Sequence, residues 1–227
     1  MKEMPEKWRY IMPLRDGSLT PGRIEHTENS KLVHRIDFRD KDVLDVGCWD
    51  GPFTLIALQK GAKEVTCIDT VVRPTIQFIK DHYEFKNMYI KQASVYDFNP
   101  RRKYDVVLFF GVYYHLSDPV QALINCFRLS NDIVAVEGVM HNDDLPSMLL
   151  LDPFEIATSD KSNIFSLSGG MIKKLARLCG FEAIFEEGGQ ADPRCQLGGR
   201  GTIVFKKSAE EGEMYPDWIF PVSPIKP

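Results

Sequence analysis

The stretch VLDVGCWDGPF, residues 43–53, decides the fold of this 227-residue chain. Its apolar start has the length and composition of a buried strand. Gly47 and Gly51 then mark a tight turn, and Pro52 suits the first turn of a helix. The stretch therefore predicts a strand, a turn and a helix, with the bulky Trp49 inside a turn where a small residue is expected.

Strand-like and helix-like segments alternate after this stretch at the spacing of βαβ units. Further strands are predicted at 64–70, 88–94, 104–112, 132–139, 181–187 and 201–207, and helices at 53–61, 73–85, 118–130 and 168–180. The last two strands are joined by a Gly-rich connection, which favours an antiparallel end to the sheet. The predicted fold class is α/β, with a Rossmann-like, doubly wound, mostly parallel seven-stranded sheet and an antiparallel terminal strand.

The composition is ordinary for a globular protein, with 44% hydrophobic and 26% charged residues. A net charge of -4 gives no electrostatic footprint for nucleic acid. The five cysteines form no CxxC pair, so we expect no metal site, and their apolar surroundings are typical of a reducing compartment. The chain has no signal-peptide pattern and no apolar run of membrane-spanning length, and a cytoplasmic location is expected.

Acidic and glycine residues follow the first two predicted strands. Asp45, Gly47 and Gly51 fall at the end of the first strand, and Asp69 closes the second. Ligands of open α/β sheets bind at the carboxyl ends of the strands, and an acid at the second strand can accept hydrogen bonds from ribose hydroxyls. Together these residues predict a site for a nucleoside cofactor.

The turn itself limits which cofactor fits. A pyrophosphate needs open amides at a helix N-terminus, whereas Trp49 and Pro52 occupy this turn and the G-x-G-x-x-G spacing is missing. This argues against NAD or FAD. S-adenosylmethionine carries no phosphate and makes fewer demands on the turn. Trp49 is expected either to pack the turn onto the domain or to form a wall of the cofactor site.

Three longer matches point to a known family. The segments VLDVGCWDG, VTCIDT and YDVVLFFGVYYHLSDPVQAL resemble class I S-adenosylmethionine-dependent methyltransferases. GVYYHLSDP (111–119) is similar to the GVLYH segment of the group that contains the tRNA uridine-5-oxyacetate-forming carboxymethyltransferase. WRYIMPLRDGSLTPG (8–22) is similar to the opening of small relatives of that group. The resemblance covers most of residues 8–207.

The resemblance implies that S-adenosyl-L-methionine is held after the first four strands. The expected cofactor-binding residues are Asp45, Gly47, Trp49, Gly51, Asp69, Thr70, Ser94, Val95, Phe110, Gly111 and Tyr114. Asp69 would hold the ribose, while Ser94 and Val95 would flank the adenine.

Catalytic and substrate-binding roles are expected for five residues. His115 is the candidate general base, with a helix-entry histidine bonded to backbone as the alternative. Tyr114 would shape the reacting site, and Tyr113, His141 and Arg200 are candidates for substrate binding. By the resemblance, Tyr114 and Arg200 match the two residues that engage the carboxylate of carboxy-S-adenosyl-L-methionine.

The family's lysine before the first core strand has no obvious counterpart, although Arg23, Lys31 and Arg35 are nearby. Ordinary methyl transfer to a small-molecule acceptor, by in-line displacement, is therefore the leading hypothesis. The alternatives are a tRNA wobble-uridine methyl- or carboxymethyltransferase and a non-catalytic cofactor-binding partner protein. The oligomeric state stays open.

The expected organisation has three parts. Residues 1–42 form an N-terminal cap or lid segment, and residues 43–207 form the methyltransferase domain. Within that domain, residues 140–165 form a loop-rich insertion, with a short helical piece, near the acceptor site. Residues 208–227 form a Pro-rich tail that packs on the surface.

Overall fold

A computed structural model of the chain describes residues 3–25, 31–143, 145–151, 162–188 and 198–209. The strands are β1 (Tyr10–Ile11), β2 (Ile24–Glu25), β3 (Asp42–Val46), β4 (Glu64–Asp69), β5 (Met88–Gln92), β6 (Tyr104–Phe110), β7 (Ser130–His141), β8 (Met148–Leu150), β9 (Phe165–Ser168), β10 (Phe181–Glu187) and β11 (Gly198–Lys207). The helices are α1 (Pro52–Gln59), α2 (Pro74–Tyr83), α3 (Pro119–Leu129) and α4 (Gly169–Leu178).

The main sheet has the strand order β10-β11-β7-β6-β3-β4-β5. These strands are parallel except β11, which runs antiparallel to both β7 and β10. The predicted α/β fold class, with a mostly parallel sheet and an antiparallel strand, is therefore confirmed; β8 and β9 join the sheet beside β7, so it has nine strands where seven were predicted. The direction of strand succession reverses between β3 and β6, and the carboxyl ends at such a point form the crevice where α/β folds bind ligands.

Alternating side chains of the central strands form two cores. On β3, Leu44 packs with the core under α3 and α4, whereas Val43 packs with the core under α1 and α2. Both faces of the sheet are covered, so its strands are apolar runs without polar alternation. Burial on both faces fixes the register of β3 and therefore the place where its following turn lies.

The N-terminal segment, defined as residues 3–25, covers the outer side of α1. Trp8, Met12 and Leu14 pack against Leu55 of α1 and Ile79 of α2. This explains why α1 is apolar on almost all sides, since one side faces the sheet and the other faces the N-terminal segment.

The stretch 140–165 contains the end of β7, the hairpin strand β8 and the start of β9. A strand at Met148–Leu150 stands in a region where a loop with a short helical piece was expected, because it pairs with β9, and β9 in turn pairs with the extended end of β7. Residues 152–161 and most of the tail, 210–227, lie outside the described residues. No helix in the described part of the chain is long and apolar enough to cross a membrane.

Gly138 on β7 offers a test of the packing that positions the two tyrosines after β6. A Cβ at this position would lie 2.4 Å from Tyr113 and 2.9 Å from Tyr114. Gly138→Ala should therefore lower the free energy of unfolding by about 1–3 kcal/mol. Gly188→Ala is the control, because nothing lies within 4 Å of its Cβ position. Urea unfolding measures both variants, and equal stability would contradict the packing described.

Candidate functional site

A cavity of about 1440 Å³ opens at the carboxyl ends of β3, β4, β5 and β6. Its floor is formed by the turns after these strands, and one wall is formed by the N-terminal segment. Expected site residues that line it are Gly47, Trp49, Asp69, Thr70, Ser94, Val95, Phe110, Gly111, Tyr114, His115 and Arg200. The sheet topology thus brings residues from distant parts of the sequence to the lining of one cavity.

The turn after β3 makes close contact with the turn after β6. Gly47 has a φ of 73°, in the left-handed region, and a Cβ there would lie 2.3 Å from a methyl group of Val112. Only glycine satisfies both conditions. Trp49 also has a left-handed φ, 48°, which costs a residue with a side chain about 1–2 kcal/mol. A small residue is expected at position 49 because glycine adopts this left-handed conformation without strain.

Contacts of its backbone and its ring hold Trp49 in this conformation. Its backbone N–H donates to Oδ2 of Asp69 at 3.1 Å. The guanidinium of Arg73 lies 3.4 Å from the centre of the indole ring, and that of Arg9 lies 5.2 Å away. Such cation–π contacts contribute about 0.5–2 kcal/mol each, which offsets the strain. Trp49 therefore links the turn to α2 on one side and to the N-terminal segment on the other.

Asp69 at the end of β4 presents its carboxylate to the cavity. Oδ1 accepts the backbone N–H of Val71 at 3.0 Å, and Oδ2 accepts that of Trp49. A carboxylate oxygen can accept more than one hydrogen bond, so both oxygens keep acceptor capacity toward the cavity. Asp69 is thus fixed in position and is suited to a pair of hydroxyl groups.

The buried carboxylate of Asp50 attaches the N-terminal segment to this turn. Oδ2 accepts the backbone N–H groups of Arg9 and Tyr10 at 2.7 and 3.1 Å. Oδ1 accepts the hydroxyl of Thr75 in the first turn of α2, at 2.7 Å. Asp50 is fully buried, so the bonds that hold this wall of the cavity are shielded from water.

Three polar side chains meet at the opposite wall. Arg200 donates from Nε and Nη2 to the two carboxylate oxygens of Glu137, at 2.7 and 2.8 Å. Its Nη1 donates to the hydroxyl of Tyr114 at 2.9 Å. This bidentate pair neutralises the buried Glu137 and leaves two of the five Arg200 N–H groups for other acceptors.

The tyrosine of this group stays protonated at neutral pH. Burial raises the pKa of Tyr114 to about 12, with Arg200 acting in the opposite direction. Because its oxygen already accepts from Arg200, its own O–H can donate into the cavity. Tyr114 is therefore a hydrogen-bond donor and not a base. Burial likewise raises the pKa of Tyr10, on the facing N-terminal wall.

Tyr113 and His141, which were expected to bind the substrate, do not line the cavity. Tyr113 is fully buried and donates its hydroxyl to the carbonyl of Val139 at 2.6 Å. The two ring nitrogens of His141 are engaged by the hydroxyls of Ser166 and Ser147 at 3.0 and 2.8 Å, and burial lowers its pKa. Both residues hold the end of β7 in place.

Asp45 and Gly51, which were expected to contact the cofactor, do not line the cavity either. Gly51 precedes α1 and packs against Ile76. Asp45 is buried and accepts the hydroxyl of Thr54 at 2.5 Å. Burial raises the pKa of Asp45 from 3.8 to about 6. The sequence predicted an acidic residue at the end of the strand but did not indicate that its side chain is buried.

His115 lines the cavity and contacts the backbone and side-chain oxygens of Ser162 from Nδ1, both at 3.0 Å. His115 therefore has features of both expected roles: it faces the cavity as a general base would, and it is held by a backbone group as a helix-entry histidine would be.

The sequence did not indicate a role for Asp50 or Arg73. An Asp before a glycine at a helix start is typical of a cap, and no pattern indicated its burial.

The comparisons agree with this architecture. Residues 22–185, more than half of the chain, match the model of a methyltransferase domain family. The fold is that of a class I methyltransferase. The chain belongs to this methyltransferase domain family.

Similar proteins include the tRNA U34 carboxymethyltransferase of Nautilia profundicola, 33% identical over 39% of this chain and 30% of that protein. The chain thus spans about a third of the length of the first curated relatives. Similar solved structures are the 1,6-didemethyltoxoflavin-N1-methyltransferase of Burkholderia thailandensis (18% identity, 78% and 76% of the two chains, TM-score 0.60) and the magnesium protoporphyrin IX methyltransferase of Synechocystis (16%, 78% and 79%, TM-score 0.60). At this identity these two show the shared fold.

Replacing Asp50 tests its attachment of the N-terminal segment. Asp50→Ala leaves the amides of Arg9 and Tyr10 without their acceptor, at about 1–3 kcal/mol per group if they stay buried. Hydrogen exchange at these two amides should therefore speed up by about tenfold or more. Asp16→Ala is the control, since the exposed Asp16 carboxylate accepts only from Ser18 among the described residues. Unchanged exchange in Asp50→Ala would contradict the attachment.

The raised pKa of Asp45 predicts a pH dependence of stability. Because the folded-state pKa, about 6, lies above the ordinary 3.8, the native state binds more protons between these values. The contribution is fully present below about pH 3.8 and is lost as pH rises through 6. The loss is about 3 kcal/mol, and Asp45→Asn should abolish it in urea unfolding at pH 4 and 7.5. Thr54→Val removes a bond that lowers this pKa, so it should move the loss to higher pH.

Proposed function

We propose that the chain is an S-adenosyl-L-methionine-dependent methyltransferase that acts on a small-molecule acceptor. The observation that carries this proposal is the fixed Asp69 carboxylate, which faces a large cavity beside the glycine turn of β3. Family membership supports the same activity. The sequence resemblance supports the same cofactor.

The residues present fit this cofactor. Asp69 has acceptor capacity for the two ribose hydroxyls, while Ser94 and Val95 line the adjoining part of the cavity, suited to the adenine. The turn after β3 lacks the G-x-G-x-x-G spacing of a pyrophosphate site, and a phosphate-free cofactor does not need it. A cavity of about 1440 Å³ exceeds the usual 300–1,000 Å³ of a single-ligand site, so a second ligand has room beside the first.

The chemistry that the bound cofactor supplies is a methyl group on a sulfonium: the acceptor's lone pair forms the new bond while the sulfur–carbon electron pair returns to sulfur. The protein's task is to align the two groups and exclude water. Phe110, Gly111 and Tyr114 line the part of the cavity after β6, where we place the sulfonium side. Tyr114 donates a hydrogen bond there, and His115 takes up the acceptor's proton where the acceptor must lose one.

A second candidate function has its own support. Tyr114 and Arg200 share a hydrogen bond at the cavity wall, and two Arg200 N–H groups have no acceptor among the described residues, which suits a carboxylate. Curated relatives are named tRNA U34 carboxymethyltransferase. Carboxy-S-adenosyl-L-methionine as donor, with tRNA as acceptor, is therefore the alternative. The four cysteines in the described part of the chain are free and buried or half-buried, which supports the cytoplasmic location that belongs to the proposal.

Cofactor binding gives the first test. Calorimetry should show that Asp69→Asn binds S-adenosylhomocysteine at least about tenfold more weakly than the unchanged protein, because a carboxylate acceptor for the ribose is lost. Asp97→Asn is the control, because Asp97 is an exposed acid that does not line the cavity. Equal affinity of Asp69→Asn would refute the ribose contact. A cell extract supplied with donor carrying a deuterated methyl group should then yield a labelled small molecule, and label in tRNA alone would favour the alternative.

A further inference from the structure

The cavity is lined by more positive than negative side chains, although the chain has a net charge of -4. Lys7, Arg9, Arg23 and Arg200 face Glu6 and Asp69 around it. A cavity lined mainly by one sign of charge raises the local concentration of ligands with the opposite sign. The charges that line the cavity therefore indicate the charge of the acceptor.

Arg200 and Asp69 already have oppositely charged partners in the fold. Glu137 neutralises Arg200 through two hydrogen bonds. Arg73 lies 4.0 Å from the Asp69 carboxylate.

The other cations that line the cavity are Lys7, Arg9, whose guanidinium also lies over the Trp49 ring, and Arg23; among the described residues that line this wall, Glu6 is the acid beside them. Across the described ranges, the ion pairs that form do not include these three cations. This wall therefore carries positive charge that the described part of the fold does not neutralise.

Two of these cations are held side by side by the backbone. The N–H of Arg23 donates to the carbonyl of Arg9 at 3.0 Å, and β1 pairs in parallel with β2 from Tyr10 and Ile24 onward. Both residues line the cavity, so this wall is suited to an anionic group.

The charge of the proposed cofactor strengthens this argument. S-adenosyl-L-methionine has a sulfonium, an ammonium and one carboxylate, so it brings net positive charge into the cavity. A second ligand that carries negative charge would complement both the cofactor and the cations Lys7, Arg9 and Arg23 that line this wall. We propose that the acceptor is a small organic anion whose carboxylate or phosphate group lies against Arg9 and Arg23. This inference rests on the proposed function and adds the chemical class of its acceptor.

The test uses inorganic phosphate as a probe on the full chain saturated with S-adenosylhomocysteine. Calorimetry should show saturable phosphate binding, and Arg23→Gln should weaken it by about tenfold or more, since one charge-assisted contact is lost. Arg23→Lys should retain part of the affinity. Arg39→Gln is the control, because this exposed arginine pairs with Asp37 away from the cavity. Unchanged affinity for S-adenosylhomocysteine in Arg23→Gln shows that the variant is folded.

Equal phosphate affinity in the unchanged protein and Arg23→Gln, or no saturable binding, would overturn the inference. So would copurification of carboxy-S-adenosyl-L-methionine, detected by mass spectrometry, because the anion would then belong to the donor. Displacement of phosphate by tRNA but not by small carboxylates such as citrate would assign the cations to RNA and overturn it as well. If S-adenosylhomocysteine fails to bind, the proposed function fails, whereas phosphate binding lost in Arg23→Gln still supports an anion site.

Discussion

The buried carboxylate of Asp50 is the interaction on which the cavity depends. It joins the turn after β3, the backbone of the N-terminal segment and the first turn of α2 through three hydrogen bonds. A buried carboxylate without such donors is unstable, so each of these parts needs the others. Together these parts form a walled cavity at the open carboxyl edge of the parallel sheet, as the proposed methyl transfer requires.

The neighbouring Trp49 shows how this turn differs from a turn of small residues. Its left-handed backbone carries strain, and its ring and N–H recover that free energy through contacts with Arg73, Arg9 and Asp69. Trp49 thus connects Asp69, the proposed ribose partner, with the N-terminal wall that carries Arg9. The same turn positions both the expected cofactor end and the expected acceptor end of the cavity.

The fold class was predictable from the sequence, because its signals are local. Strands that are buried on both faces appear as apolar runs, and glycine or proline marks the turns between them. Glycine and acid positions at strand ends also predicted most of the cavity lining, such as Gly47, Asp69 and Gly111. How deeply each of these residues is buried was not predictable from such local signals. Asp45 and Tyr113 stand at similar places in the sequence pattern, yet packing buries them behind the wall. Asp50 acquires its role only because the N-terminal segment folds back over it.

The most direct test of the account is a crystal structure of the chain with S-adenosylhomocysteine. The account predicts the ligand in this cavity, with both ribose hydroxyls within hydrogen-bond distance of Asp69 and its sulfur beside Gly111 and Tyr114. The guanidinium groups of Arg9 and Arg23 would remain open to a second ligand on the other side. A ligand bound elsewhere, or bound here without contact to Asp69, would contradict the account.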